Sequence, residues 1–156
     1  MLGIFGLGFG LAASAVAIAP QKSSDVFQIS GLVLANCRGF RVILDATIQV
    51  DTTTFFDESG NAVAISVHVQ WRGTATNSKT GDALVDKANY IISSDLTEGT
   101  TAFLGVVYRW VIEGYGIVVL DAGKLVFTAD GVVFDSTPEV ENGNEYCEAF
   151  RVLAAA

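Results

Sequence analysis

A chain of 156 residues and 16.4 kDa has room for one ordinary domain. With 51% hydrophobic residues, 17% charged residues and a mean hydropathy of +0.45, it is excluded from the disordered class. Nine Lys and Arg against 17 Asp and Glu leave a net charge of -8, which argues against nucleic acid as a partner, because phosphate backbones are met with cations.

The chain opens on an apolar run without a charged side chain before Lys22. The run ends in small residues, with Ala13-Ser14-Ala15, Ala15-Val16-Ala17 and Ala17-Ile18-Ala19 each matching the A-x-A spacing of a secretory cleavage site. Residues 1–19 are therefore expected to be a signal peptide or, uncleaved, an N-terminal anchor, and residues 20–156 a single domain. The anchor reading rests on length, since about 20 apolar residues span a bilayer as a helix, and on the Gly6/Gly10 pair. A buried first element of a cytosolic domain is the third reading. A basic n-region is missing, and Pro20 shifts the expected cleavage point to Ala15 or Ala17.

The body reads as strands. After Val26–Leu34, the segment Phe40–Asp51 alternates strictly: Phe40, Val42, Leu44, Ala46, Ile48 and Val50 share one face, and Arg41, Asp45, Thr47, Gln49 and Asp51 the other. This is the period-two pattern of a half-buried antiparallel strand. Val63, Ile65, Val67, Val69 and Trp71 repeat it beyond the turn cluster Asp57-Glu58-Ser59-Gly60-Asn61. Further strands are expected at Ala88–Asp95, Thr101–Ile112, Ile117–Asp121, Lys124–Ala129, Val132–Phe134 and Phe150–Leu153, with Asp121-Ala122-Gly123 and Asp130-Gly131 as turns. Eight or nine short strands and no convincing helix predict an all-β, single antiparallel domain. A closed or partly closed barrel of lipocalin-like size is favoured over a β-sandwich.

Cys37 and Cys147 lie 110 positions apart, with no third cysteine and no CxxC spacing, so neither a metal site nor a redox motif is expected. In an oxidising compartment they would pair and tie the two ends of the domain together; the alternative is two buried thiols.

Three segments in order, Asn36-Cys37-Arg38-Gly39-Phe40, Thr54-Phe55-Phe56-Asp57-Glu58-Ser59-Gly60-Asn61 and Gly116-Ile117-Val118-Val119-Leu120-Asp121-Ala122-Gly123-Lys124, resemble a group of small exported bacterial β-rich proteins, mostly actinobacterial, of unknown function. The likeness spans roughly Cys37 to Cys147. It implies export and a compact β domain with paired cysteines, and it brings no catalytic residue. The leader departs from the group in lacking a charged n-region.

Little chemistry is written in motifs. His68 is the single histidine, in mid-strand beside Ser66, Gln70 and Arg72, and no G-x-S-x-G or H-E-x-x-H accompanies it. Asp45, Asp51, Glu113 and Asp121 are the carboxylates at strand positions that an acid–base pair would use. Asp57-Glu58-Ser59-Gly60-Asn61 and the acidic stretch with Glu139, Glu141, Glu145 and Glu148 invite a calcium reading, but lack the full twelve-residue loop; a turn and a solvated loop account for them. No phosphate-cradling glycine motif exists, so no cofactor and no metal are expected. Trp71, Tyr90, Tyr108 and Trp110 fall on the apolar faces of successive strands and are the candidates to line a ligand cavity, with a packed core as the alternative.

The expectation is an exported protein, extracellular or in the cell envelope, that binds a small apolar or amphipathic ligand inside a barrel. The first alternative is a cell-surface interaction module without a cavity. The second is a carboxylate-dependent isomerase or hydrolase. A membrane would be met only through an uncleaved leader.

Overall fold

In the computed structural model, which describes residues 18–112, 114, 116–135 and 144–155, the alternating segments form seven strands and one helix. They are β1 (Gln21–Cys37), β2 (Phe40–Phe56), β3 (Ala62–Asn77), β4 (Ala83–Asp95), β5 (Thr100–Ile112), β6 (Gly116–Thr128), β7 (Gly131–Asp135) and α1 (Asn144–Ala155). Each strand pairs antiparallel with the next, giving one sheet in the order β1-β2-β3-β4-β5-β6-β7. Most of the expected leader, residues 1–17, lies outside the described residues.

Three hairpin tips use one device, an Asx side chain that satisfies the turn's backbone amides before a glycine takes a left-handed conformation. Asp57 Oδ1 accepts from the N–H groups of Ser59 and Asn61 at 2.9 and 2.8 Å. Asn77 Oδ1 does the same for Lys79 and Thr80, and Asp95 Oδ1 for Thr97 and Glu98. Gly60, Gly81 and Gly99 follow them with φ of 87°, 79° and 65°.

The sheet curls toward one face. The Trp71 and Tyr108 rings, from β3 and β5, meet edge to face with centroids 5.2 Å apart, above Ala88 on the strand between them. Glycine permits the curl. At Gly73 a Cβ would sit 2.7 Å from the Ala46 Cβ, and at Gly105, with φ of 136°, it would sit 2.5 Å from the Asn89 carbonyl oxygen.

The inner face is buried at one end, where Ala35, Val42, Ala75, Leu84, Trp110, Ile112 and Val119 form a single cluster with Tyr146, Cys147, Ala149 and Phe150 of α1. The helix packs against β1 and β6 and is bonded to the end of β1 by the Cys37–Cys147 disulfide.

The fold differs from the expected closed barrel, from the expected eight or nine strands and from the expected absence of a helix. The sheet is not closed, because β1 and β7 do not pair and α1 stands between β1 and β6 where closure would bring strands together. The strands number seven among the described residues, not eight or nine. Ile117–Asp121 and Lys124–Ala129 are parts of one strand, β6, in which Gly123 pairs with Gly105 instead of turning. Phe150–Leu153 belongs to α1, whose inward stripe Tyr146, Ala149, Phe150 and Leu153 has helical spacing. The all-β, single-domain reading stands.

Opening the disulfide by Cys147→Ser is expected to lower stability by about 4–5 kcal/mol on the chain-entropy account of so long a loop, read as a fall in the urea midpoint of the oxidised protein. Gly105→Ala, which combines a left-handed backbone with a backbone clash, is expected to cost about 2 kcal/mol or more in the same assay.

Candidate functional site

The four aromatic candidates share the inner face, but the helix divides them. Trp110 is sealed between α1 and the sheet, its ring 4.9 Å from Tyr146 and 6.0 Å from Phe150. It is core. Trp71 is buried beside it in a second cluster with Leu44, Ala46 and Ala88. Tyr90 and Tyr108 are half-buried and lie where the cover ends.

Beyond them the inner face continues with no helix of the described residues over it. Register places Ile48, Val50, Val67, Val69, Ile92, Phe103, Leu125 and Phe127 on that side. Across β4, β5 and β6 the rings of Tyr90, Phe103 and Phe127 form a stacked ladder, with centroids 6.4 and 5.8 Å apart. Tyr108 pairs in register with Asp121, so the ladder runs toward a phenol and a carboxylate. Both titrate high: burial raises Tyr108, with Asp86 adding to it, and burial raises Asp121, with Asp135 adding to it. Tyr146 is pushed well above the usual phenol range, mainly by burial.

Asp86 is the group that sequence reading missed. It sits at an inward position of β4, paired with Gly73 on one side and Trp110 on the other, and is fully buried. The Trp71 indole N–H donates to its Oδ2 at 3.1 Å. Burial raises its pKa to about 6, against the opposing pull of the two indoles and of the Arg109 and Lys87 backbone amides. Trp110 acts on the carboxylate without completing a hydrogen bond, so Asp86 Oδ1 and Trp110 Nε1 both remain unpartnered. A signal did exist: in Leu84-Val85-Asp86-Lys87-Ala88-Asn89-Tyr90 the alternation that turns Leu84, Ala88 and Tyr90 inward carries Asp86 with them.

The remaining candidates are scattered. His68 faces the opposite side of the sheet, with Nε2 2.7 Å from Asn89 Oδ1. Asp45 accepts from the Ser30 hydroxyl and the Gly31 amide, which hold it below the usual carboxylate range. Asp51 is held low by Ser24 and Gln49. Glu113, Glu139 and Glu141 lie outside the described residues, and Glu145 and Glu148 are on α1. Asp57 is consumed by its turn, and among the described residues no group of three or more His, Cys, Asp or Glu side chains is placed to hold a metal ion. Asp86 and Asp121 share the inner face and both titrate high, yet neither perturbs the other and Asp86 is sealed from solvent. That is not the geometry of a working acid–base pair.

No protein-family model, curated protein or solved structure matches the chain.

The Asp86 carboxylate fixes a pH dependence. Its folded pKa of about 6 lies above the ordinary aspartate value of 3.8, so its contribution to stability is most favourable below pH 4. It declines as pH rises toward 6, by on the order of 3 kcal/mol in all. Asp86→Asn, which keeps an acceptor for Trp71, should therefore differ least from the parent near pH 4 and be increasingly the more stable of the two up to about pH 6. Urea unfolding of both proteins between pH 4 and 8 reads that difference and cancels the exposed carboxylates, which titrate alike in each.

Proposed function

We propose that this is an exported binding protein whose inner face, past the end of α1, takes up a small apolar or amphipathic molecule. The observation that carries the reading is the Tyr90–Phe103–Phe127 ladder, left uncovered by the helix and running toward Tyr108 and Asp121. An aliphatic or ring-bearing body would lie along the ladder, where desolvating apolar surface supplies the affinity. A polar end would meet the phenol and carboxylate, the few polar groups that orient a ligand in a largely apolar site. The bound molecule lies in an open trough, not in the interior of a closed barrel.

Export is supported by the Cys37–Cys147 disulfide, which belongs to oxidising compartments, by the A-x-A spacings of the leader and by the resemblance to exported proteins. Among the described residues no helix is long and apolar enough to cross a membrane. The extracellular space or the cell envelope is the proposed location.

A second reading, a surface interaction module, draws on a different feature. The short edge strand β7 presents Val132, Val133 and Phe134 at 63%, 62% and 50% exposure, and among the described residues no strand pairs with its outer side. Exposed apolar edges of this kind pair with another chain.

The test uses the oxidised, exported chain and cis-parinaric acid, a fluorescent fatty acid, as probe. Saturable fluorescence gain is expected, and Phe103→Asp, which puts a charge in the middle of the ladder, should weaken it by about tenfold or more. Native mass spectrometry of the same sample reads leader removal and any retained ligand. No uptake of the probe, or uptake indifferent to Phe103→Asp, rejects the trough and leaves the edge-strand module.

A further inference from the structure

The outer face carries a pattern that the inner-face reading does not use. Thr47, Arg72 and Lys87 stand side by side on β2, β3 and β4, with Thr47 paired to Arg72 and Arg72 paired directly to Lys87. Arg109 continues the row on β5, next to the residue that pairs with Asp86. Three of the nine cationic side chains of an acidic protein are thus lined up across neighbouring strands, about 5 Å from one strand to the next. Like charges directly opposite one another destabilise a sheet. Among the described residues, none of the three forms an ion pair with a carboxylate.

The adjacent row is made of amides: Gln49 pairs with Gln70, and Gln70 with Asn89. Their hydrogen bonds orient them. Asp51 receives the Gln49 side-chain N–H groups at 3.1 and 3.3 Å, which leaves the Gln49 carbonyl oxygen free to accept. Asn89 Oδ1 lies 2.7 Å from His68 Nε2 and must be the acceptor there, so the Asn89 NH2 remains free to donate. The two rows border a hollow of about 490 Å³. It lies where β4 and β5 slip register between Asp86 and Asn89, so that the ladder opens. Asp45 and Asp51, carboxylates of this face, are both occupied by their own hydrogen bonds. Asp86, beneath the slip, is turned to the other side of the sheet.

We propose that this hollow is a binding site for an oxyanion carried on a hydroxylated skeleton, a sugar acid or a sugar phosphate. Arg72, Lys87 and Arg109 take the anion, for which guanidinium and ammonium groups supply charge-assisted hydrogen bonds. Gln49, Gln70 and Asn89, which offer both donors and acceptors, take the hydroxyls. The row of cations is about 10 Å long, which suits a small anion; a long polyanion would meet the net charge of -8 elsewhere.

The test is a titration of the 15N-labelled, oxidised protein with galacturonate and with glucose 1-phosphate, using glucose and inorganic phosphate as controls. Saturable shifts of the Arg72, Lys87 and Asn89 amides are expected with at least one acidic sugar, and which one responds decides between carboxylate and phosphate. Lys87→Gln and Arg109→Gln should each weaken binding by about tenfold. Because Lys87→Gln also removes a like-charge contact with Arg72, its unfolding midpoint should stay level or rise, which separates lost recognition from lost folding. No saturable shift with either acid, equal binding of glucose, or variants that bind like the parent would overturn the site. Inorganic phosphate binding as tightly as glucose 1-phosphate would overturn the role of the amide row. A failure here leaves the inner-face trough untouched, because the two sites share no side chain.

Discussion

The structure depends on a single tether across the mouth of a curled sheet. Cys147 enters the core from α1 and is bonded to Cys37 at the end of β1, while Tyr146, Ala149 and Phe150 on the same helix cover Val42, Ala75, Trp110 and Val119. A seven-stranded meander with two free edges cannot bury its inner face by itself. Closing into a barrel is one solution; wedging a helix between β1 and β6 is another, and this chain takes the second. The helix has only 12 residues, too few to be stable alone in water, so its own order comes from the sheet it covers. Helix and sheet complete one core, and the disulfide keeps the partners together when either loosens.

That helix also decides which aromatic residues are structure and which remain available. Trp110, beneath it, serves as filling; Tyr90 and Phe103, beyond its reach, keep a wet face. Asp86 sits near the boundary and is costly there, a carboxylate without solvent and with one oxygen unpartnered. Its position coincides with the slip between β4 and β5, and the Lys87 and Arg109 backbone amides that pull on its carboxylate belong to the residues whose side chains rim the outer hollow. The inner carboxylate and the outer cations therefore share one stretch of irregular ladder.

Much of this was legible in the sequence because a half-buried strand writes its face assignment in parity. Phe40–Asp51 could be read residue by residue, and the same parity turned Trp71, Tyr90, Tyr108 and Trp110 to one side. The Asp or Asn followed by Gly marked the tips after β2, β3 and β4. What escaped reading is non-local. Asp121-Ala122-Gly123 has the composition of a turn, yet Gly123 pairs with Gly105 on the neighbouring strand, and only the paired partner reveals why glycine is there. The stripe Tyr146, Ala149, Phe150 and Leu153 is short and ends on strand-prone Phe150-Arg151-Val152, so local propensity competes with the docking that makes it helical. Open sheet versus barrel is decided by what lies between β1 and β6, residues far apart in the chain.

The candidate sites follow the same division. Parity alone turns Arg72, Lys87 and Arg109 outward, as it would any charged residue on a solvated face, and nothing local marks them as a group. Register does: Arg72 opposite Lys87 is an arrangement that folding alone disfavours, with neither side chain relieved by a neighbouring carboxylate. Elsewhere the carboxylates are satisfied without cations, since Asp57 and Asp95 find donors within their own turns, Asp45 on the neighbouring strand β1, and Asp51 on β1 and β2. With 17 carboxylates against nine cations, leaving three cations together and unneutralised runs against the composition of the whole surface. An apolar trough on one face and a cationic hollow on the other are thus two separate departures from what stability requires, and each is supported by the rigid sheet between them.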